Sequence, residues 1–184
     1  MLGEAEKREL GMIARKSLTA AVNGLPYAPA APAEGLPALM EKRGCFVTLR
    51  THGALRGCLG CFVSNMPLYQ TVAEYARHSA LNDPRFSGSR LKPDELAEVE
   101  MEISVLTPLE PCRDPEKIEL GKHGIYVNGE GGSGCFLPQV ATEMNWSVED
   151  YWGYCCRDKA GLAWDAWRQP ETDLMTFTAE VFSV

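Results

Sequence analysis

Cys45-Phe46-Val47-Thr48-Leu49-Arg50-Thr51-His52-Gly53-Ala54-Leu55-Arg56-Gly57-Cys58-Leu59-Gly60-Cys61 is the stretch that decides the fold class. Cys45, Val47 and Leu49 alternate with Phe46, Thr48 and Arg50, a period of two that suits a strand and not a helix. Thr51-His52-Gly53-Ala54 supplies a tip and the chain returns from Leu55, so residues 44–63 read as a β-hairpin. Unbroken alternation on the return strand puts Arg56, Cys58 and Gly60 on one side and Leu55, Gly57, Leu59 and Cys61 on the other. Two glycines in so short a strand mark a bulge or a close backbone approach.

Outward from this hairpin the periodicities change. Residues 4–22 form an amphipathic helix pattern, with Leu10, Ile13, Ser17, Leu18 and Ala21 on one face and Asn23-Gly24 as its stop. Pro26, Pro29, Pro32 and Pro37 make residues 24–37 an extended surface connector. A second helix is predicted over 67–80, with Pro67 in its first turn and Leu68, Val72, Tyr75, Ala76 and Ser79 inward. A loop follows at 82–86, then a short helix over 93–97. Next comes a strand from Glu98 to Leu106, with Val99, Met101, Ile103 and Val105 on one face and Glu100, Glu102 and Ser104 on the other. Beyond it, the pattern predicts a helical turn in 114–121. A second hairpin joins Ile125–Val127 to Gly134–Leu137 around a glycine-rich tip. A helix over 148–157 is opened by Ser147 and Asp150, and a last strand runs from Leu174 to Val181. Hairpin-joined strands with scattered helices predict an α+β fold built on antiparallel pairs.

The 184 residues fit one domain, or one domain with two lobes, and an apolar fraction of 45% suffices for a real core. A net charge of −7 repels phosphate backbones and counts against nucleic acid and against a polybasic membrane surface. No apolar run approaches the length of a membrane span, and the charged N-terminus lacks the apolar region of a signal peptide. Seven cysteines, an odd number at spacings of no secreted scaffold, read as reduced thiols of a cytoplasmic protein.

Six strings carry a resemblance: Phe46-Val47-Thr48-Leu49, Leu55-Arg56-Gly57-Cys58-Leu59-Gly60, Asp83-Pro84-Arg85-Phe86, Ser104-Val105-Leu106-Thr107-Pro108, Gly121-Lys122-His123-Gly124 and Leu137-Pro138-Gln139-Val140-Ala141. In order and spacing they resemble the AMMECR-one domain, with Trp146, Cys156, Lys159-Ala160-Gly161-Leu162 and Trp167 agreeing, over about residues 4–183. The resemblance implies one domain of two unequal lobes on antiparallel sheet, with an inter-lobe cleft where the arginine–glycine–cysteine motif sits. It also implies kinship with the AmmeMemoRadiSam system protein A, encoded beside or fused to a Memo-like protein and a radical-SAM protein, so both are expected partners. A fold follows from this more sharply than an activity. The family commonly has another residue at the place of Cys61, so the Cys58–Cys61 pair is peculiar to this chain.

Cys58 has two readings. It is a nucleophile or thiolate ligand, with Arg56 stabilising the thiolate and holding the anionic group of the substrate and Gly57 and Gly60 admitting that substrate, or it is a packed structural thiol. His123 is either the general base such a thiol needs or a loop histidine capping backbone groups. Glu100 and Glu102 share a strand face; Glu102 is the candidate proton carrier, and a solvated strand face is the plainer account. Asp83 and Arg85 either bind substrate or lock their own loop. One CxxC without a second, and without paired histidines, predicts no metal site, and no residue pattern names a cofactor. Two functions follow: an enzyme acting on a small anionic or carbonyl-bearing molecule at this motif, or a non-catalytic module docking a Memo-like or radical-SAM partner.

Overall fold

In the computed structural model, which describes Met1–Val184, helix α1 runs from Glu4 to Val22 and buries Leu10, Ile13, Ala14, Ser17, Leu18 and Ala21. The periodicity required that face. A turn of 3-10 helix at Pro37–Met40 leads to the hairpin of β1 (Cys45–Thr51) and β2 (Ala54–Cys61). Its two-residue turn has φ of 50° at His52 and 76° at Gly53. Positive φ at both positions matches the right-handed twist of the strands. Helix α2 (Leu68–Leu81), 3-10 turns at Pro84–Phe86 and Pro93–Glu98, and β3 (Val99–Leu106) follow.

Two compact units divide the chain: Met1–Leu106 with Glu180–Val184, and Thr107–Ala179. In the first, a four-stranded antiparallel sheet has the order β2-β1-β3-β8, where β8 is Ala179–Ser183. Its inner face gives Val47, Leu49, Met101 and Ile103 to a core completed by Leu10 and Leu18 of α1 and Leu68 and Val72 of α2.

In the second unit the order is β4-β7-β5-β6, with β4 Glu110–Pro111, β5 Gly124–Gly129, β6 Gly132–Phe136 and β7 Asp173–Phe177. Helix α3 spans Pro138–Glu143 and α4 Val148–Tyr154. The predicted cap is present: Ser147 Oγ accepts the Asp150 N–H at 3.1 Å, and Asp150 Oδ2 accepts the Ser147 N–H at 3.0 Å. Tyr151, Trp152, Cys155, Cys156 and Trp167 pack with Ile125 and Val127. Two buried aromatic polar atoms find carbonyls, Trp152 Nε1 donating to Pro115 O at 2.9 Å and Tyr151 Oη to Leu137 O at 2.9 Å, whereas the buried Trp167 Nε1 has no hydrogen-bond partner.

Three expectations are corrected. The last strand is not continuous: the chain leaves one sheet after Phe177 and enters the other at Ala179. Thr178 and Thr107 fasten the crossing, Thr178 N–H donating to Thr107 Oγ1 and Thr107 N–H to Thr178 O, both at 2.9 Å. The alternation of Met175, Phe177, Ala179 and Val181 reads straight through the break, so the pattern conceals it. The helix after Ser147 does not end at residue 157; a π-helical turn, Cys155–Ala160, extends it to Gly161, whose φ of 69° stops it. Finally, α3 and the two-residue β4 are additional elements, too short to show a period.

Candidate functional site

Strand register assembles the site. Thr48 of β1 pairs with Cys58 of β2 on one side and Glu102 of β3 on the other, so these three half-buried side chains stand in one row on the outer face. Thr48 Oγ1 donates to Cys58 Sγ at 3.3 Å. With strands ~4.8 Å apart, about 10 Å separates the Cys58 and Glu102 backbones, and Thr48 fills the interval. Beside the row lies a depression of about 400 Å³ lined by Thr48, Arg50, Glu100, Glu102, Ser183 and Val184, among others.

The opposite face of β2 carries Gly57, Leu59 and Cys61, paired with Leu49, Val47 and Cys45. Cys58 and Cys61 therefore point away from each other and cannot share one ion. Cys61 faces the buried Cys45, whose thiol burial pushes up strongly, and neighbours Tyr75, whose hydroxyl is raised to about 12 by burial and then by Cys61. No group of three or more His, Cys, Asp or Glu side chains is arranged to hold a metal ion.

As an edge strand, β2 has backbone groups that no neighbouring strand satisfies. Asp83 and Arg85 take them up at Cys58. Asp83 Oδ2 accepts the Cys58 N–H at 2.9 Å, and Arg85 Nη2 donates to Cys58 O at 3.1 Å. The two side chains also hold each other: Arg85 Nε donates to Asp83 Oδ1 at 3.0 Å and Nη2 to Oδ2 at 2.7 Å. The Arg85 bonds, then the Cys58 and Arg85 N–H groups, lower the Asp83 pKa to about 2 against the opposing effect of burial. Asp83 is 4% exposed, whereas the Arg85 side chain is 56% exposed and offers a cation to solvent. One residue on, Ser79 Oγ of α2 accepts the Leu59 N–H at 2.9 Å and donates to Val47 O at 2.7 Å, bridging the two hairpin strands.

Arg56 does not share the face of Cys58. The register passes from Leu49–Gly57 to Arg50–Leu55, so Arg56 is the extra residue of a β-bulge. Its guanidinium pairs with both Glu95 carboxylate oxygens and donates to Ser89 O and Thr51 Oγ1, at 3.1 and 3.2 Å. Gly57 and Gly60 do permit close approach, but by the protein itself. A Cβ at Gly57 would strike the Ser79 carbonyl of α2, and one at Gly60 would strike the Phe46 ring and Cys45 O. His123 lies in the second unit, where its Nδ1 accepts the Glu119 N–H at 3.0 Å. His52, at the hairpin tip, pairs with Glu98 at 2.9 Å.

Sequence reasoning missed Thr48 and Ser79. Ser79 left a signal, a hydroxyl on the inward face of α2. Thr48 left none, because only the bulged register sets it beside Cys58.

These features define a class: an α+β protein of two antiparallel sheets with one thiol on a clamped sheet edge. The chain belongs to the AMMECR1 family, whose model matches residues 12–182. A protein of Thermococcus gammatolerans is 41% identical over 181 residues, covering 92% of this chain and 86% of that one. One of Nanoarchaeum equitans is 38% identical over 180 residues, covering 94% and 97%. The crystal structure of an uncharacterised protein from Pyrococcus horikoshii is similar with a TM-score of 0.84 at 35% identity, covering 99% of this chain and 93% of that one. No helix is long and apolar enough to cross a membrane.

Proposed function

We propose that the outer face of the first sheet is a reaction site for a small anionic molecule bearing an electrophilic carbon, with Cys58 as nucleophile. The observation that carries this reading is the Asp83–Arg85 clamp. Besides satisfying the edge-strand backbone at Cys58, this carboxylate and guanidinium fix the position of that residue while leaving Arg85 exposed next to it. Arg85 holds the anionic end of the substrate. The sulfur forms a bond to the electrophilic carbon as that carbon's bond to a leaving group, or its carbonyl π bond, breaks, and the thiol proton passes to solvent. Glu102, about 10 Å along the row, reaches the far end of a molecule lying across Thr48 and there accepts or donates a proton. Arg56 positions the strand through Glu95, and His123 is assigned no step. A small-molecule activity beside Memo-like and radical-SAM proteins agrees with the family resemblance.

Two alkylating probes of equal size and opposite design test this: iodoacetate, an anion, and neutral iodoacetamide. Each joins sulfur to carbon as iodide leaves. Peptide mapping should show Cys58 modified, and Arg85→Gln should cut the iodoacetate rate about fivefold while changing iodoacetamide little, as expected for one charge a few ångströms away in water. The thermal melt shows whether the variant remains folded. Absence of label on Cys58, or equal losses for both probes, sinks the proposal.

The second reading is a docking face for a Memo-like or radical-SAM partner. It is favoured by the edge-to-face pair Phe46–Phe62, with centroids 4.9 Å apart, beside Val63, which is 69% exposed. Under that reading Val63→Asp abolishes co-purification of the partner and leaves Cys58 labelling unchanged.

A further inference from the structure

Strand β8 ends the first sheet, and nothing in the sheet pairs with its outer side. Val184 N–H donates to Met101 O at 2.9 Å, so the backbone at Val184 turns toward β3. By antiparallel alternation, the N–H and C=O groups of Val181 and Ser183 turn away from β3 to the free edge. Helix α1 runs alongside, close enough that a Cβ at Gly11 would strike the Val184 side chain. Helix and edge enclose a groove of about 650 Å³.

The charge of the groove departs from that of the chain. Four cationic side chains line it, Lys7, Arg8, Arg15 and Lys16, against one acidic side chain, Glu4, in a protein of net charge −7. Lys7 is engaged with Glu4 and Glu180, and Arg15 donates to Val99 O and Val184 O. Arg8 and Lys16 are exposed and form no ion pair. The floor is apolar: Met12 is 45% exposed and Val184 36%, and the Phe182 ring lies below Lys7. A further cleft of about 340 Å³, sharing Arg15 and Lys16, carries the track along α1 to Leu25, which is 62% exposed. From Glu4 to Ala20 the helix advances about 24 Å, the length of some seven residues of extended chain.

We infer that this groove binds an extended acidic segment of a partner protein, alternating carboxylates with aliphatic residues, which adds as a fifth strand to the edge of β8. Backbone bonds at Val181 and Ser183 supply pairing, the apolar floor receives alternate side chains, and Arg8 and Lys16 receive the carboxylates. A second copy of this chain fits poorly, because pairing two such grooves opposes cations with cations. The groove shares Ser183 and Val184 with the depression beside Thr48 but does not include Cys58, so Cys58→Ser should bind the partner segment unchanged.

The test is fluorescence anisotropy on the full chain. The probe is a labelled six-residue peptide alternating aspartate with valine or leucine. Two controls accompany it, one with lysines for the aspartates and one with proline for the central valine. The acidic peptide should bind saturably. The lysine peptide should bind at least tenfold more weakly, and so should the proline peptide, which lacks one N–H. The charge reversal Arg8→Glu with Lys16→Glu, both on exposed positions, should weaken the acidic peptide at least tenfold, and hydrogen exchange at Val181 and Ser183 should slow on binding. Three outcomes overturn the inference: no saturable binding; equal binding of the proline peptide, which means carboxylate capture without strand addition; or a self-associated chain that the peptide does not dissociate, which gives the edge to a second copy.

Discussion

Strands β2 and β6 each lie at one edge of their sheet, and each carries a glycine followed by a cysteine, Gly57-Cys58 and Gly134-Cys135. In both, the glycine admits helical backbone against the strand: Ser79 of α2 over Gly57, and Lys159 and Ala160 of the π-helical turn over Gly134. The sulfurs then diverge. Both residues are half-buried, but Cys58 lies beside the Thr48 hydroxyl with its backbone held by Asp83 and Arg85. Burial raises Cys135 to about 12 even with Lys159 acting in the other direction. The same dipeptide thus serves two ends. Close packing of a helix on an edge strand fixes both strands, and at Cys58 polar groups brought by the loop after the helix hold the backbone as well.

The largest expected difference is in reactivity. At pH 8, alkylation followed by peptide mapping should label Cys58, while Cys135, raised from an ordinary 9.0 to about 12, should carry about a thousandfold less thiolate than an ordinary thiol. Equal labelling of the two would erase the contrast. Next come the glycines they share. Gly57→Ala and Gly134→Ala should each cost about 3 kcal/mol or more by urea denaturation, since the added methyl meets backbone that cannot yield. A neutral Gly134→Ala would show that only the first edge is tightly built.

The clamp at Cys58 has no counterpart at Cys135, and its removal acts on the first edge alone. Asp83→Ala should cost about 2–3 kcal/mol by leaving the Cys58 N–H and Arg85 unpartnered. Its folded pKa of about 2 lies below the 3.8 of a free carboxyl, so its stabilisation is complete above about pH 5 and is lost as pH falls through 3.8 toward 2. Allowing for the solvent exposure of Arg85, that amounts to about 1–2 kcal/mol. Asp83→Asn should flatten the acid limb of a stability-versus-pH curve; an unchanged limb would remove the clamp from the account. Ser79→Ala, which unties the bridge between Leu59 and Val47, should cost about 1–2 kcal/mol. The smallest effect, about 1 kcal/mol, is expected for Ser147→Ala at the α4 cap of the second unit.

Long amphipathic elements were legible. The bounds of α1 and β1 follow from their periods, because each buries one continuous face. The final strand was not, since Met175 to Val181 keeps one alternation while serving two sheets in turn. At the site, Asp83 and Arg85 were legible as a pair that either locks its own loop or binds substrate. That they lock Cys58 as well depends on a contact 25 residues distant in sequence.

The sequence by itself determined that a hairpin forms, that Gly57 and Gly60 need room, and that Cys58 and Cys61 face opposite ways. It did not determine which of the two sulfurs looks outward. Counting back from the His52-Gly53 turn without a break pairs Cys58 with the buried Val47 and sends its sulfur to the core. The bulge at Arg56, anchored by Glu95 and Ser89 from more than thirty residues away, shifts the register by one and pairs Cys58 with Thr48 on the outer face. A strand's side chains repeat every two residues, so a one-residue shift reverses every side chain beyond it. That shift is held by tertiary contacts, and no local pattern encodes it.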